Sequence, residues 1–246
     1  MATRLFTLAA GNARSPNDKN KGKDRIMKKD FSARSEKYPE PWCTWQGFLT
    51  AMPSLVFVVT GWKSNGKENA CLHSWSAFAG GGKDELVCIM GAVSKSGHMY
   101  QSLKETGVCV LNFPSYDIYE RCIKTIGNNE FETDEITAVG LTAEKAAKVD
   151  APRIKECFLN IECVYLWEHD LFENAGFFGN EEVAVAVKAV NICMDSDRYD
   201  QSKLGRYSKA GYLFQIDQPT NPETGEKTPI MAATLEIRDP IPWNTK

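Results

Sequence analysis

The sequence predicts a mainly antiparallel β-barrel decorated by short helices. Short runs rich in β-branched and aromatic residues recur along the chain, separated by turn signals. Neither a Gly-rich dinucleotide-binding fingerprint nor an internal repeat is present, which argues against a doubly wound α/β sheet. One run alternates apolar and polar residues, as expected for a half-buried antiparallel strand. Its apolar residues are Cys157, Leu159, Ile161 and Cys163, and its polar residues are Asn160 and Glu162.

The first predicted elements form a hairpin. Residues Leu55 to Thr60 make a β-branched and aromatic run, and Asn65-Gly66 is a typical hairpin turn signal. Residues Asn69 to Trp75 are the expected returning strand. A further short apolar run, Glu85 to Met90, predicts the next strand.

A helix and a strand follow. Residues Gly97 to Thr106 have a composition compatible with a helix, with Met99 and Leu103 four positions apart. Ser96 stands in the expected N-cap position. The apolar run Val108 to Phe113 then predicts another strand.

The second half of the chain continues the pattern. It predicts a helical piece around Tyr116 to Thr125 and a short Ala/Lys helix from Ala143 to Val149 that Pro152 ends. Two long strands follow, Cys157 to Trp167 and Val183 to Asn191.

The domain organisation follows from a change in composition. The stretch Asn12 to Lys37 is rich in Lys, Asp, Ser, Asn and Arg and nearly lacks branched apolar residues. Such a segment cannot offset the entropy lost on ordering. We therefore expect a flexible N-terminal extension over residues 1–40 and one barrel domain over residues 41–246.

Charge and hydropathy exclude some function classes. The net charge is -3 and the pI is about 5.7, so no global basic field favours a nucleic-acid partner. The longest strongly apolar stretch, Leu55 to Thr60, is far below the roughly 20 residues that cross a bilayer. We expect a cytoplasmic protein with neither nucleic acid nor membrane as partner.

The 8 cysteines are few for a chain of 246 residues, and most lie inside apolar runs. A buried free cysteine behaves as a small hydrophobe. No Cys-x-x-Cys pair occurs, so the sequence favours structural thiols over a metal or iron–sulfur site.

Two segments carry residues suited to a ligand. The stretch Ser94 to His98 precedes the predicted helix and combines hydroxyls, a lysine and a helix N-terminus, which together suit a phosphate dianion. The stretch Asn69 to Trp75 combines an amide, a hydroxyl, an imidazole and an indole, which suit the polar edge and flat rings of an isoalloxazine. Taken alone, composition favours a solvated loop for the first and an ordinary barrel strand for the second.

In order along the chain, these segments resemble the flavin reductase-like family, flavoredoxin branch. The resemblance runs from about residue 45 to about residue 193. It is carried by five blocks: Asn69–Trp75, Ser94–Tyr100, Lys104–Pro114, Asp134–Thr142 and Ala151–Cys163.

The resemblance implies an antiparallel split β-barrel related to pyridoxamine phosphate oxidases, with short peripheral helices. It also implies a homodimer with FMN at the subunit interface. By position, it assigns Asn69, Leu72, Ser74 and Trp75 to the isoalloxazine and ribityl region, Ser94, Lys95, Ser96 and His98 to the phosphate, Asn112 to the strand beneath the flavin, and Thr142 to a nearby loop with Gly140 and Leu141.

The implied function is an FMN-dependent oxidoreductase that passes electrons from NAD(P)H or a redox protein through flavin to an acceptor. No side chain is assigned a catalytic role, because the flavin itself carries the electrons. Two alternatives stay open. One is a non-enzymatic FMN electron carrier, and the other is a flavin-free barrel that binds another ligand such as haem through His73, His98 or His169.

Overall fold

The structure is a computed structural model, and it describes residues 51–82, 85–127, 130–172, 181–199, 207–216 and 231–236. The predicted N-terminal extension, residues 1–40, lies outside the described residues and stays a prediction. Cys43, one of the eight cysteines, also lies outside the described residues.

The main sheet has seven strands, each paired antiparallel with its neighbours, in the order β3-β2-β6-β9-β10-β5-β4. The fold class predicted from sequence, a mainly antiparallel β structure with short helices, is confirmed. The strands are β2 (Phe57–Trp62), β3 (Glu68–His73), β4 (Ser76–Gly81), β5 (Glu85–Ser94), β6 (Val108–Phe113), β9 (Leu159–Asp170) and β10 (Glu182–Met194).

Two smaller sheets and several short helices complete the described fold. One small sheet has the order β1-β11-β12 and the other pairs β7 with β8. These strands are β1 (Ser54–Leu55), β7 (Ala143–Lys145), β8 (Pro152–Ile154), β11 (Leu213–Ile216) and β12 (Met231–Thr234). The α-helices are α1 (His98–Thr106), α2 (Tyr119–Ile123), α3 (Glu135–Ala138) and α4 (Ser196–Tyr199). Short 3-10 helices span Tyr116–Ile118, Lys124–Ile126 and Ser208–Ala210.

The longest described helix, α1, has nine residues. Among the described helices, none has the length and apolar character that crossing a membrane requires.

Two apolar clusters form most of the core. The first lies inside the main sheet, where Phe57 packs against Phe78 and Phe113 with ring centroids 5.8 and 5.5 Å apart. The second lies on the other side of β2, where Val58 and Leu72 meet residues of the short helices, including Ile136. The strand β2 is therefore covered on both faces.

The predicted hairpin is confirmed. Strands β2 and β3 pair antiparallel, and Gly66 in the turn has a φ of +79°. That backbone conformation suits glycine, which lacks a Cβ. The Gly66 amide donates to the carbonyl of Lys63 at 2.8 Å and closes the turn.

The sequence does not predict one of the strands. Residues Ser76–Gly81 form β4, an edge strand that pairs with β5 from Ser76 opposite Met90 to Gly81 opposite Glu85. Its small side chains carry little strand signal, and Gly is unfavourable in strand interiors. Pairing with β5 supplies the order that the local sequence does not.

The Ala/Lys helix predicted from Ala143 to Val149 is wrong. Ala143–Lys145 is instead β7, which pairs with β8, and a turn follows it. In that turn the carboxylate of Glu162 accepts the backbone amides of Ala147, Lys148 and Val149 at 2.9, 2.6 and 3.2 Å. Because these amides are satisfied by a side chain, the segment gains no advantage from helical hydrogen bonds.

The structure corrects the prediction that β9 is a half-buried strand. Asn160 and Glu162 alternate with apolar residues as predicted, yet both are buried. The turn after β7 covers this polar face, and Val149 and Ala146 form a small third apolar cluster there. Both faces of β9 are therefore covered over this stretch.

The described cysteines are free thiols, and most of them are buried. Burial raises the pKa of Cys88 to about 12 and that of the half-buried Cys71 to about 11. Cys109 and Cys163 are direct cross-strand partners between β6 and β9. These thiols behave as small apolar side chains, in agreement with the prediction of structural cysteines.

Candidate functional site

The structure brings the two ligand-suited segments together around helix α1. The amide of Gly91 donates to the carbonyl of Trp75 at 2.7 Å, which ties the end of the Asn69–Trp75 segment to β5, three residues before Ser94. Asn69 Nδ2 lies 3.1 Å from the Ser102 hydroxyl on α1. Both segments therefore lie beside α1.

The N-terminus of α1 has no side-chain cap. Gly97, not Ser96 as predicted, occupies the N-cap position, and within the described part of the chain no side chain hydrogen-bonds to cap the helix. A Cβ at Gly97 would lie 3.3 Å from the carbonyl oxygen of Ser94, so this tight turn favours glycine. The uncapped amides and the helix dipole make this end attractive to an anion.

Two hydroxyls flank this helix end. Ser94 Oγ and Ser96 Oγ lie 2.9 Å apart and hydrogen-bond to each other. Ser96 is exposed and Ser94 is half-buried, so a ligand can reach both. The backbone reaches the turn through Ala92, which has a φ of +53°, a conformation uncommon for a residue other than glycine.

Lys95, the expected phosphate lysine, already has two anionic partners. Its Nζ lies 2.7 Å from Asp170 and 3.2 Å from Glu181, at the ends of β9 and β10. Hydrogen bonds to Asp170 and then Glu181 hold the pKa of Lys95 above its ordinary value. An incoming phosphate would share this charge with the two carboxylates.

His98 is the first residue of α1 and faces a buried carboxylate. Its Nδ1 lies 3.7 Å from Oε1 of Glu135, and its ring packs edge-on against Phe131 at 5.8 Å. Glu135 is almost fully buried and forms an ion pair with the equally buried Lys63 at 2.8 Å. This buried pair lies directly behind the helix end.

The other expected flavin contacts on the β3 side differ in access. Leu72 is buried in the second core cluster, and its amide donates to the Thr125 hydroxyl at 3.0 Å. Ser74 is buried, whereas Trp75 is half-buried at the exit of β3. Trp75 is therefore the larger surface of this segment that remains open to a ligand.

His73 is held as a neutral imidazole. Burial lowers the pKa of His73 to about 4, despite its hydrogen bond to the carbonyl of Trp75 at 3.0 Å. Because a carbonyl can only accept, Nε2 carries the proton. The ring packs against Phe57 at 5.5 Å. His98 and His169 have different neighbours, since His169 packs on the ring of Trp167 at 5.1 Å.

In the structure, the side chains of Asn112 and Thr142 form hydrogen bonds with other residues of the chain. The amide of Asn112 is fully buried on β6 and bonds to neighbouring strands. Thr142 is exposed, but its amide and hydroxyl both donate to the carboxylate of Glu156 at 3.0 and 2.8 Å. The loop before it is fixed by Arg121, which donates to the Gly140 carbonyl at 2.9 Å.

A model of the flavin reductase like domain matches residues 49–202, more than half of the chain. The chain belongs to this family. The match covers the strands β2 to β10 and all of the residues that line the end of α1.

Solved structures share the fold of this flavin reductase-like chain. A protein described as a flavin reductase with a split barrel domain, from Shewanella frigidimarina, superposes with a TM-score of 0.63 at 16% identity, covering 80% of this chain and 91% of that one. The flavoredoxin of Desulfovibrio vulgaris gives 0.58 at 16% identity, covering 89% and 99%. An FMN-binding protein from Thermus thermophilus gives 0.56 at 14% identity, covering 77% and 91%. The fold is therefore the split barrel.

Sequence analysis missed the Lys63–Glu135 pair behind the flavin reductase-like site. Glu135 lies inside one of the five quoted blocks, but nothing in its local sequence marks it as buried. Lys63 follows β2 and directs its ammonium to the carbonyls of Glu130 and Thr133, both at 2.8 Å. A buried ion pair between distant segments leaves no local pattern.

A separate groove of about 550 Å³ lies at the other end of the main sheet. It is lined by the turn between β4 and β5, including Gly80 to Gly82, and by Ala189 to Ile192 of β10. None of the residues assigned to the flavin by resemblance lines it.

Proposed function

We propose that this protein is an FMN-binding oxidoreductase of the flavin reductase-like family. It passes electrons from a reduced donor, NAD(P)H or a redox protein, through the flavin to an acceptor. The observation that carries the proposal is the uncapped N-terminus of α1, flanked by Ser94, Ser96 and Lys95, in a chain that belongs to this family.

The chemistry of the helix end fits a terminal phosphate. The first amides of α1 and the hydroxyls of Ser94 and Ser96 supply donors, and the helix dipole favours negative charge. Lys95 contributes a cation that is already shared with two carboxylates. The amides and hydroxyls therefore hold the phosphate more than the lysine does.

The segment at the exit of β3 fits the flavin rings and ribityl chain. Trp75 offers a half-buried flat surface, and Asn69 and Ser74 supply polar groups beside α1. When bound, FMN supplies the electron-accepting ring system. The protein's own residues bind and orient that ring system and limit its contact with water.

FMN should bind more tightly than riboflavin, because only FMN has the phosphate. The double variant Ser94→Ala, Ser96→Ala removes two hydroxyl donors to the charged phosphate, each contributing roughly 1.5–3 kcal/mol. We expect FMN affinity to fall by about 3–6 kcal/mol and riboflavin affinity to stay the same, both measured by titration calorimetry. Ser54→Ala, on β1, is the matched control. Equal FMN affinity in the double variant and the control would refute the phosphate assignment.

A second measurement separates an enzyme from an electron carrier. We expect the protein to oxidise NADH or NADPH under steady-state conditions when free flavin is added as acceptor. A protein that holds FMN but oxidises neither nucleotide would be a carrier that exchanges electrons with a redox protein.

A homodimer completes the proposal. Several large apolar side chains of β9 and β10 are exposed in the single chain, among them Leu166, Val190 and Ile192. Exposed apolar side chains on neighbouring strands are typical of an interaction surface. We therefore place the contact between two copies on these strands.

A further inference from the structure

We propose that Glu135 is a positioning residue that fixes the tautomer of His98, so that the phosphate of FMN binds together with a proton on His98. This inference rests on the proposed function, since it concerns the same helix end. It follows from the hydrogen-bonding capacity of three side chains: Lys63, Glu135 and His98.

The Lys63–Glu135 pair is saturated on the lysine side. An ammonium has three N–H donors. Lys63 Nζ donates to the carbonyls of Glu130 and Thr133, both at 2.8 Å, and to the carbonyl of Phe131 at 3.4 Å. Its charge also lies 2.8 Å from Oε1 of Glu135, in an ion pair. The side chains of Lys63 and Glu135 are each 1% exposed. Lys63 therefore has no donor left, and it holds Glu135 in place.

The Glu135 carboxylate has acceptor capacity left toward His98. Its Oε2 accepts the amide of Ala70 at 2.7 Å, and its Oε1 faces both Lys63 and His98 Nδ1. A carboxylate oxygen accepts more than one hydrogen. Nδ1 lies 3.7 Å from Oε1 of Glu135, and both atoms are buried. If Nδ1 carried no proton, its lone pair would face the negatively charged oxygen, and this repulsion would be unfavourable in a buried site. We assign the proton to Nδ1 in both charge states of His98.

This assignment decides what Nε2 can do. Among the described residues, Nδ1 is buried and has no hydrogen-bond partner, so the 18% of the His98 side chain that is exposed lies on its other atoms. In the neutral ring with Nδ1 protonated, Nε2 presents a lone pair and repels a phosphate oxygen. Only the imidazolium donates from Nε2 to the phosphate. Binding of FMN therefore takes up a proton.

Among the described residues, few charged groups surround His98. Oε1 of Glu135 on α3 lies 3.7 Å from Nδ1, Lys63 lies behind it, and the ring of Phe131 covers one side. On the side of the loop before α1 stands Lys95, which is paired with Asp170 and Glu181.

The test compares FMN with riboflavin from pH 6.5 to 9, where the phosphate is mostly a dianion because its second pKa is about 6. We expect the ratio of FMN to riboflavin affinity in the wild-type protein to fall as pH rises, by about tenfold. In His98→Gln, which leaves the Lys63–Glu135 pair intact, the ratio should not change with pH. The same pH slope in His98→Gln and wild type would overturn the proposal.

The role of Glu135 is tested by measuring which nitrogen of neutral His98 carries the proton. Long-range 15N–1H correlation spectra of the wild-type protein should show the proton of neutral His98 on Nδ1. In Glu135→Gln we expect the tautomer preference to be lost and the FMN to riboflavin ratio at pH 7 to fall about tenfold, with riboflavin affinity unchanged. A wild-type tautomer with the proton on Nε2 overturns the proposal even if Glu135→Gln does not fold. Failure of the wild-type protein to bind either flavin would refute the proposed function itself.

Discussion

At the residue scale, a single amide side chain joins four parts of the barrel. Asn112 on β6 donates from Nδ2 to the Val58 carbonyl and the Thr60 hydroxyl of β2, both at 2.9 Å. Its Oδ1 accepts the amide of Ile154 at 2.9 Å and Nδ2 of Asn160 at 2.8 Å. These bonds connect β2, β6, β8 and β9. The side chain is fully buried, so water cannot replace any of its bonds.

Asn112→Ala should therefore destabilise the protein strongly. The substitution leaves buried donors and acceptors without partners, at about 1–3 kcal/mol each. We expect the free energy of unfolding to fall by at least about 3 kcal/mol, as measured by urea denaturation. Thr142→Ala, which removes an exposed hydroxyl bond to Glu156, is the control and should cost less than about 1 kcal/mol. Similar losses in both variants would contradict this view of Asn112.

At the element scale, the turn between β7 and β8 depends on a carboxylate from another strand. Glu162 on β9 accepts three successive amides of the turn and, at 2.8 Å, Nδ2 of Asn191 on β10. Burial by itself raises the pKa of Glu162. The hydrogen bonds from the Asn191 side chain and from the backbone amides of Ala147, Lys148 and Val149 lower this pKa and outweigh the effect of burial. The net pKa of Glu162 lies below its ordinary value.

This depressed pKa makes stability depend on pH. The ionised form is favoured in the folded state, so its contribution is present above the pKa of the unfolded chain, about 4.3. It is lost as pH falls through the lower folded value. We expect Glu162→Gln to be less stable than wild type by about 2 kcal/mol at pH 7, with the difference shrinking below about pH 4. A difference that is constant from pH 7 to pH 3, measured by denaturation, would show that the charge is not responsible.

The same elements show which parts of the fold are predictable from sequence. The β2–β3 hairpin was predicted because Asn65-Gly66 is a local turn signal, and α1 because its apolar spacing is local. The turn after β7 was predicted as a helix because its Ala and Lys content favours one, while Glu162 lies on another strand. The strand β4 was missed for a related reason, since its order comes from pairing with β5.

The candidate site divides in the same way. The residues of the Ser94 to His98 stretch share a short segment, so their types and spacing were visible in the sequence. Their partners were not visible, because Asp170, Glu181 and Glu135 reach the loop only through folding. The prediction placed the N-cap one residue early because Ser96 is the better capping residue by type, whereas the tight contact with the Ser94 carbonyl favours glycine at position 97.

At the scale of the whole molecule, charge and apolar surface are distributed unequally. The N-terminal end of α1 is surrounded by paired charges, so its attraction for an anion is local and comes mainly from amides and hydroxyls. The strands β9 and β10 instead expose large apolar side chains, with Ile192 54% exposed. The proposed binding site lies at the N-terminal end of α1, and the exposed apolar side chains lie on β9 and β10. This distribution suits an assembly in which two copies contact each other along these strands.

We therefore expect a homodimer that loses FMN when it dissociates. The family resemblance implies that FMN lies at the subunit interface, so dimer formation and FMN binding should be linked and FMN should stabilise the dimer. Ile192→Glu places a charge on the exposed face of β10 and should weaken dimerisation at least about tenfold, or 1.4 kcal/mol. Ile126→Glu is the matched control, because Ile126 is also 54% exposed but lies in the 3-10 turn that follows α2. Light scattering across a dilution series, read together with flavin fluorescence, measures both events. A monomer that keeps its FMN at low concentration would refute an FMN site at the subunit interface. Equal dimer stability in Ile192→Glu and Ile126→Glu would place the interface elsewhere on the barrel.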